Sequence, residues 1–280
     1  MNKKYTNLEI KFPGELKDIV IASISDLPFL GIIENEEELI VSFNKKTINT
    51  EFLNDLQLQL NQISNEIALG EFEEIEEKNW NENWEKEVPS IIVSETLGIA
   101  PEWKIDELNT KNKVIINPKM SFGTGGHETT KLCCQVLEEI DLKNKKILDA
   151  GTGTGILSIV SIIYGAKEVI AFDNNEWSIR NAIENFKLNG VNNQIELDQF
   201  DLDEEILPKV DIVIANILSH VIERNLGSFS NAIDTNGKFI ASGILIEQED
   251  NIIEKARLVG FDLLNKKHLN EWTVLVFNKL

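Results

Sequence analysis

Apolar and polar residues alternate at positions 8–12, with Leu8, Ile10 and Phe12 on one side and Glu9 and Lys11 on the other. A period of two predicts a strand. Over 15–25 the spacing turns helical, with Leu16, Ile19, Val20 and Ile24 on one stripe. Two strand-like runs, 29–35 and 38–43, flank the charged turn Asn35-Glu36-Glu37. Residues 50–67 are predicted helical, with Phe52, Leu53, Leu56, Leu60, Ile63 and Ile67 on one face and Thr50 as the N-cap. The order β-α-β-β-α is that of a small ferredoxin-like α+β domain over residues 1–70, a kind of unit that serves interaction more often than catalysis. Residues 71–90 read as an acidic linker, in which Trp80 and Trp84 lie four residues apart and so on one face of any helix formed there.

Beyond position 90 the pattern becomes α/β. Strands are predicted at 113–116, 146–148, 168–172, 194–197, 210–215, 238–242, 261–265 and 272–278. Helices are predicted at 128–140, 156–164, 176–189, 220–229 and 247–259. Alternation of this kind argues for a mostly parallel sheet covered on both faces. No helix separates the last two strands, so a polar connection at 265–271 is expected to make them an antiparallel hairpin.

The chain of 280 residues has a formal net charge of −20, with 27 Lys+Arg against 47 Asp+Glu. That balance opposes nucleic-acid binding, which needs a basic face, and suits a Lys-rich protein partner. The longest apolar stretch, 156–166, is too short to span a bilayer, and no apolar leader opens the sequence. The two cysteines, Cys133 and Cys134, are neighbours, poorly placed to bridge each other, and no metal-binding Cys/His spacing is present. A cytoplasmic monomer without metal is expected.

The sharpest local chemistry is Asp149-Ala150-Gly151-Thr152-Gly153-Thr154-Gly155, set between an apolar strand and an apolar helix. Glycines allow a tight turn and let a ligand approach bare backbone. Asp173 closes the next strand, where an acid accepts hydrogen bonds from ribose hydroxyls. The spacing G-x-G-x-G departs from the dinucleotide fingerprint G-x-G-x-x-G. With the terminal hairpin, it favours S-adenosyl-L-methionine over a nicotinamide dinucleotide.

That loop resembles the first motif of class I methyltransferases. Phe122-Gly-Thr-Gly-Gly-His-Glu-Thr-Thr130, Ala215-Asn-Ile-Leu218, Ser242-Gly-Ile-Leu245, Glu271-Trp272 and Ile99-Ala-Pro-Glu-Trp103 resemble segments of the PrmA family, which methylates the eleventh protein of the large ribosomal subunit. The resemblance covers about residues 75–280, and Thr152 and Thr154 stand where many members have Cys and Ser. It implies a Rossmann-like, seven-stranded catalytic domain over 91–280. It also implies S-adenosyl-L-methionine as cofactor, and methyl transfer to lysine and N-terminal amino groups of that ribosomal protein. The domain at 1–70 is expected to recognise the substrate.

Under this resemblance Gly151, Gly153, Asp173, Thr130 and Phe122 are expected to hold the cofactor, Thr130 at its methionine end. Phe122 has packing as its alternative role, and Thr129 and Thr130 have helix capping. Asn216, at the carboxyl edge of a strand, is expected to accept from the attacking amine or to contact the cofactor's amino-acid group; capping the next helix is its structural alternative. His127 is expected to anchor its loop and not to act as a base. Asp198, Asp201 and Asp203 follow the strand that usually contacts adenine, or form a solvated acidic loop.

Overall fold

A computed structural model describes residues 4–24, 27–76, 88–119, 121–202 and 206–280. The chain divides into two compact units, Met1–Trp80 and Asn81–Leu280.

The first unit runs β1 (Lys4–Lys11), α1 (Lys17–Ile24), β2 (Phe29–Glu34), β3 (Glu38–Asn44), α2 (Thr50–Asn61) and β4 (Ala68–Glu76). Its four strands form an antiparallel sheet in the order β2-β3-β1-β4. Leu8 and Ile10 of β1 and Leu39, Val41 and Phe43 of β3 pack beneath Val20 and Ile24 of α1 and Leu56 and Leu60 of α2. The alternation seen at 8–12 is therefore one buried face. Two expectations change. Asn49, not Thr50, caps α2, its side chain accepting the Phe52 N–H at 2.9 Å. Residues 71–76, read as linker, belong to β4, which pairs with β1 along its length. The rest of the acidic run, with Trp80 and Trp84, lies outside the described residues.

The second unit opens with a small sheet of β5 (Ile91–Ile92), β6 (Leu97–Ala100) and β7 (Asn112–Ile115). It continues through α3 (Glu128–Glu139), β8 (Lys146–Ala150), α4 (Ile156–Ile163), β9 (Glu168–Asp173), α5 (Glu176–Leu188) and β10 (Ile195–Gln199). Then follow β11 (Val210–Asn216), α6 (Ser219–Ala232), β12 (Ile233–Leu245), α7 (Glu249–Leu258), β13 (Phe261–Leu269) and β14 (Trp272–Lys279). Seven strands lie in the order β10-β9-β8-β11-β12-β14-β13. The first five are parallel, and β14 runs antiparallel to both its neighbours. This is the Rossmann-like sheet of class I methyltransferases with its terminal hairpin.

Side chains along the central strands alternate between two cores. Ile147, Ile212 and Ile214 pack with α3, α4 and α5, while Leu148, Val213 and Ala215 pack with α6 and α7. Burial on both faces explains the near-continuous apolar runs. The hairpin is tighter than its polar composition suggested. Residues 266–269 lie in β13, and the turn is made at Asn270, with φ 52°. The polar side chains of Lys266, Lys267 and His268 suit an edge strand, which needs them against pairing with another chain.

Cys133 and Cys134 of α3 are free and fully buried. Burial pushes the Cys133 thiol up to about 12 and the Cys134 thiol well above its ordinary value. The thiolate is the reactive form, so neither side chain reacts at neutral pH while the fold holds. A thiol reagent is expected to find no reactive group in the native protein and both cysteines in denaturant.

Candidate active site

Strand order reverses between β8 and β11, and in open α/β sheets ligands bind outside the carboxyl ends of the strands at such a point. The chain leaves β8 through Gly151, Gly153 and Gly155, which have φ of 74°, 57° and 84°. Those values favour glycine, and at all three a Cβ would stand within 2.4 Å of a neighbouring atom, the Ile217 side chain at Gly151. A Cβ on Gly153 would stand 2.4 Å from the Phe122 carbonyl oxygen, and one on Gly155 would stand 2.3 Å from the Phe186 ring. The Gly151 and Thr152 N–H groups both donate to the Phe172 carbonyl, which ties the loop to the end of β9. Asp149 is buried beneath it and takes hydroxyl donors from Thr152 at 2.7 Å and Ser158 at 2.6 Å. Burial raises the Asp149 carboxyl above its ordinary value, and those hydroxyls oppose the rise.

Asp173, at the end of β9, accepts the Gly153 N–H at 2.9 Å through Oδ2 and the Asn175 N–H at 2.9 Å through Oδ1. Each carboxylate oxygen has a second acceptor position, so both remain able to receive a ligand hydroxyl. The loop 121–127 lies directly on the glycine loop. Thr154 donates its N–H to the Phe122 carbonyl at 2.9 Å and its hydroxyl to the Gly123 carbonyl at 2.6 Å. His127 then caps α3, its Nδ1 accepting the Thr129 N–H at 3.3 Å. The capping group is thus the imidazole and not a threonine hydroxyl. The same ring packs edge-on against Phe122 at 5.2 Å and Trp272 at 5.0 Å.

These elements enclose a cavity of about 600 Å³ across the carboxyl ends of β8, β9, β10 and β11. One wall is the aromatic set of Phe122, His127 and Trp272. Another is Phe172 stacked on Phe200, with ring centres 4.0 Å apart. Between them the cavity reaches Gly151, Gly153, Asp173 and Asn216.

Two polar atoms here have no partner among the described residues: the buried Asn216 Oδ1 and Ser121 Oγ, both on lining residues. Buried polar groups are otherwise paired almost without exception. Asn216 does not cap the following helix, whose N-cap is Leu218.

The structure brings together Gly151, Gly153, Asp173, Asn216 and Phe122 as expected neighbours of one cavity. Thr130 is fully buried with its hydroxyl unpartnered, and Thr129 lines the cavity beside it. Asp201 lines the cavity, Asp198 is exposed on β10, and Asp203 lies outside the described residues. The sequence reading missed Ser121 and the Phe172–Phe200 pair. Phe172 precedes Asp173 at a strand's carboxyl end, and that position alone could have flagged it.

Among the described residues no cluster suits a metal ion, and no helix is long and apolar enough to cross a membrane.

A family model described as ribosomal protein L11 methyltransferase (PrmA) matches residues 23–280. A protein of that name from Staphylococcus carnosus is 36% identical, over 74% of this chain and 67% of its own length. Another, from Staphylococcus saprophyticus, is 32% identical over 96% of this chain and 86% of its own length. The crystal structure of a ribosomal protein L11 methylase from Lactobacillus delbrueckii subsp. bulgaricus superposes with a TM-score of 0.63 at 30% identity, over 68% of this chain and 98% of that one.

Proposed function

The chain belongs to the ribosomal protein L11 methyltransferase family, and on that premise we propose that it transfers methyl groups from S-adenosyl-L-methionine to lysine and N-terminal amino groups of ribosomal protein L11. The observation that carries the reading is Asn216, which lines the same cavity as the glycine loop at the carboxyl edge of β11 and whose buried side-chain oxygen has no partner among the described residues.

The residues fit a sulfonium nucleoside. Asp173 has acceptor capacity for two sugar hydroxyls, and the Phe172–Phe200 pair offers an apolar shelf for a purine. Gly151 and Gly153 expose backbone against which an amino-acid tail can lie. When bound, the donor supplies a methyl carbon already activated on sulfur, so the protein's task is positioning. Asn216 Oδ1 accepts an N–H of the neutral acceptor amine and so turns the lone pair toward the methyl. Phe122, His127 and Trp272 form an aromatic wall along that face. No dedicated base is needed, because solvent takes the proton from an amine at or above neutral pH.

The unit Met1–Trp80 docks the ribosomal protein, while Asn81–Leu280 carries the chemistry. A net charge of −20 suits a Lys-rich acceptor and opposes a phosphate backbone. We place the reaction in the cytoplasm, carried out by a monomer.

Purified, unmodified L11 incubated with the protein and tritiated donor is expected to take up label at lysine and N-terminal amines, read by peptide mapping. An α-amine titrates near ~8 and a lysine near ~10.4, so N-terminal methylation levels off above about pH 8.5 while lysine methylation keeps rising. A protein lacking residues 1–80 is expected to bind donor yet leave L11 unlabelled. Label on small amines or other proteins in preference to L11 would overturn the substrate assignment.

A further inference from the structure

Three asparagines on α5 and just beyond it, Asn181, Asn185 and Asn189, recur every fourth residue and so share one helix face. All three side-chain amides bond backbone. Asn189 accepts the Ile115 N–H at 2.9 Å and donates to the Ile115 carbonyl at 2.7 Å. Asn185 accepts the Asn117 N–H at 3.0 Å, and Asn181 donates to the Asn117 carbonyl at 3.0 Å.

A strand turns the N–H and C=O of alternate residues to one side, about 6.6 Å apart. Four residues of helix advance about 6 Å. The amides therefore act as a surrogate strand along the edge of β7 opposite β6. Asn185 does more than its neighbours. Its Nδ2 also donates to the Thr154 carbonyl at 2.9 Å, at the end of the glycine loop. One fully buried amide thus joins the segment that leads into loop 121–127 to the loop that follows β8.

We propose that Asn185 is a positioning residue for the methyl-donor site, holding the two loops at the separation that binding requires; the inference rests on the donor-site reading given above. Neither bond touches the cavity, so its effect passes through Phe122, Gly123 and Gly153. Asn189 offers the internal comparison, because it bonds Ile115 of β7 and the Asn185 carbonyl on its own helix and makes no bond to the glycine loop.

The test is calorimetric titration of the full chain with S-adenosylhomocysteine, paired with thermal melting and with kinetics on L11. Asn185→Leu is expected to weaken binding about tenfold or more and to raise the donor KM in proportion, with kcat within about twofold. Asn189→Leu should lower the melting temperature comparably and leave binding within about twofold. Asn185→Asp keeps an acceptor for Asn117 but sets a buried carboxylate oxygen against the Thr154 carbonyl, so it should weaken binding at least as much as Asn185→Leu.

Equal binding by wild type and both Asn185 variants overturns the inference alone, as does equal weakening by Asn189→Leu. Failure of both Asn185 variants to fold also overturns it, since the residue then serves the fold as a whole. A wild-type chain that binds no S-adenosylhomocysteine would sink the donor-site reading itself.

Discussion

Gly153→Val is expected to abolish measurable donor binding, weakening it by about 100-fold or more, equivalent to ~2.7 kcal/mol. Two effects combine. At φ 57° a side chain meets the following carbonyl, which costs about 1–2 kcal/mol. The larger effect is the neighbour. The new Cβ would lie 2.4 Å from the Phe122 carbonyl oxygen, a backbone atom that no side-chain rotation can move aside. That carbonyl already accepts the Thr154 N–H, so loop 121–127 must lift from the glycine loop to make room. The Gly153 N–H moves with it and leaves Asp173 without one of its two backbone donors. Titration with S-adenosylhomocysteine reads the loss, and unchanged affinity would contradict the geometry of the loop contact.

Asn216→Ala should separate activity from stability. In the free protein the Asn216 oxygen is buried without a partner among the described residues, a state that costs about 1–3 kcal/mol. Truncation removes that cost, so the variant is expected to melt at or slightly above the wild-type temperature. Its kcat on L11 should nevertheless fall about 100-fold, the loss of a charge-assisted hydrogen bond worth ~1.5–3 kcal/mol made as the amine attacks. Donor affinity should change little. A drop in stability with retained turnover would mark Asn216 as a packing residue.

The parts of this molecule that sequence makes legible are those whose signal is local. The glycine loop, Asp173 and Asn216 each sit at a strand's carboxyl end, and strand, turn and helix follow one another within a few residues there. Long buried elements such as β11 and α4 announce themselves by composition.

What stays hidden depends on pairing between distant segments. The edge strand β4 is masked by its run of glutamates and by a register shift opposite residues 8–10. Strands β5 and β6, of two and four residues, are too short to show a period. Phe200 follows its strand without a motif, and its place in the cavity comes from stacking on Phe172 across two strands. His127 as a helix cap is equally unmarked, because threonine is the commoner capping type.

The family match begins at residue 23, whereas recognisable motifs begin near 75. In the first unit the core positions constrain hydrophobicity and not identity. Leu8, Val41 and Leu60 could each be another aliphatic residue without loss of the fold.

The account stands on one cavity holding a sulfonium nucleoside. A crystal structure of the protein grown with S-adenosylhomocysteine tests it most directly. The expected result is a ligand across the ends of β8, β9 and β11, its sugar hydroxyls within hydrogen-bond distance of Asp173 and its amino-acid tail against Gly151 and Gly153. A ligand bound elsewhere on the molecule, with Asp173 and both glycines untouched, would contradict it.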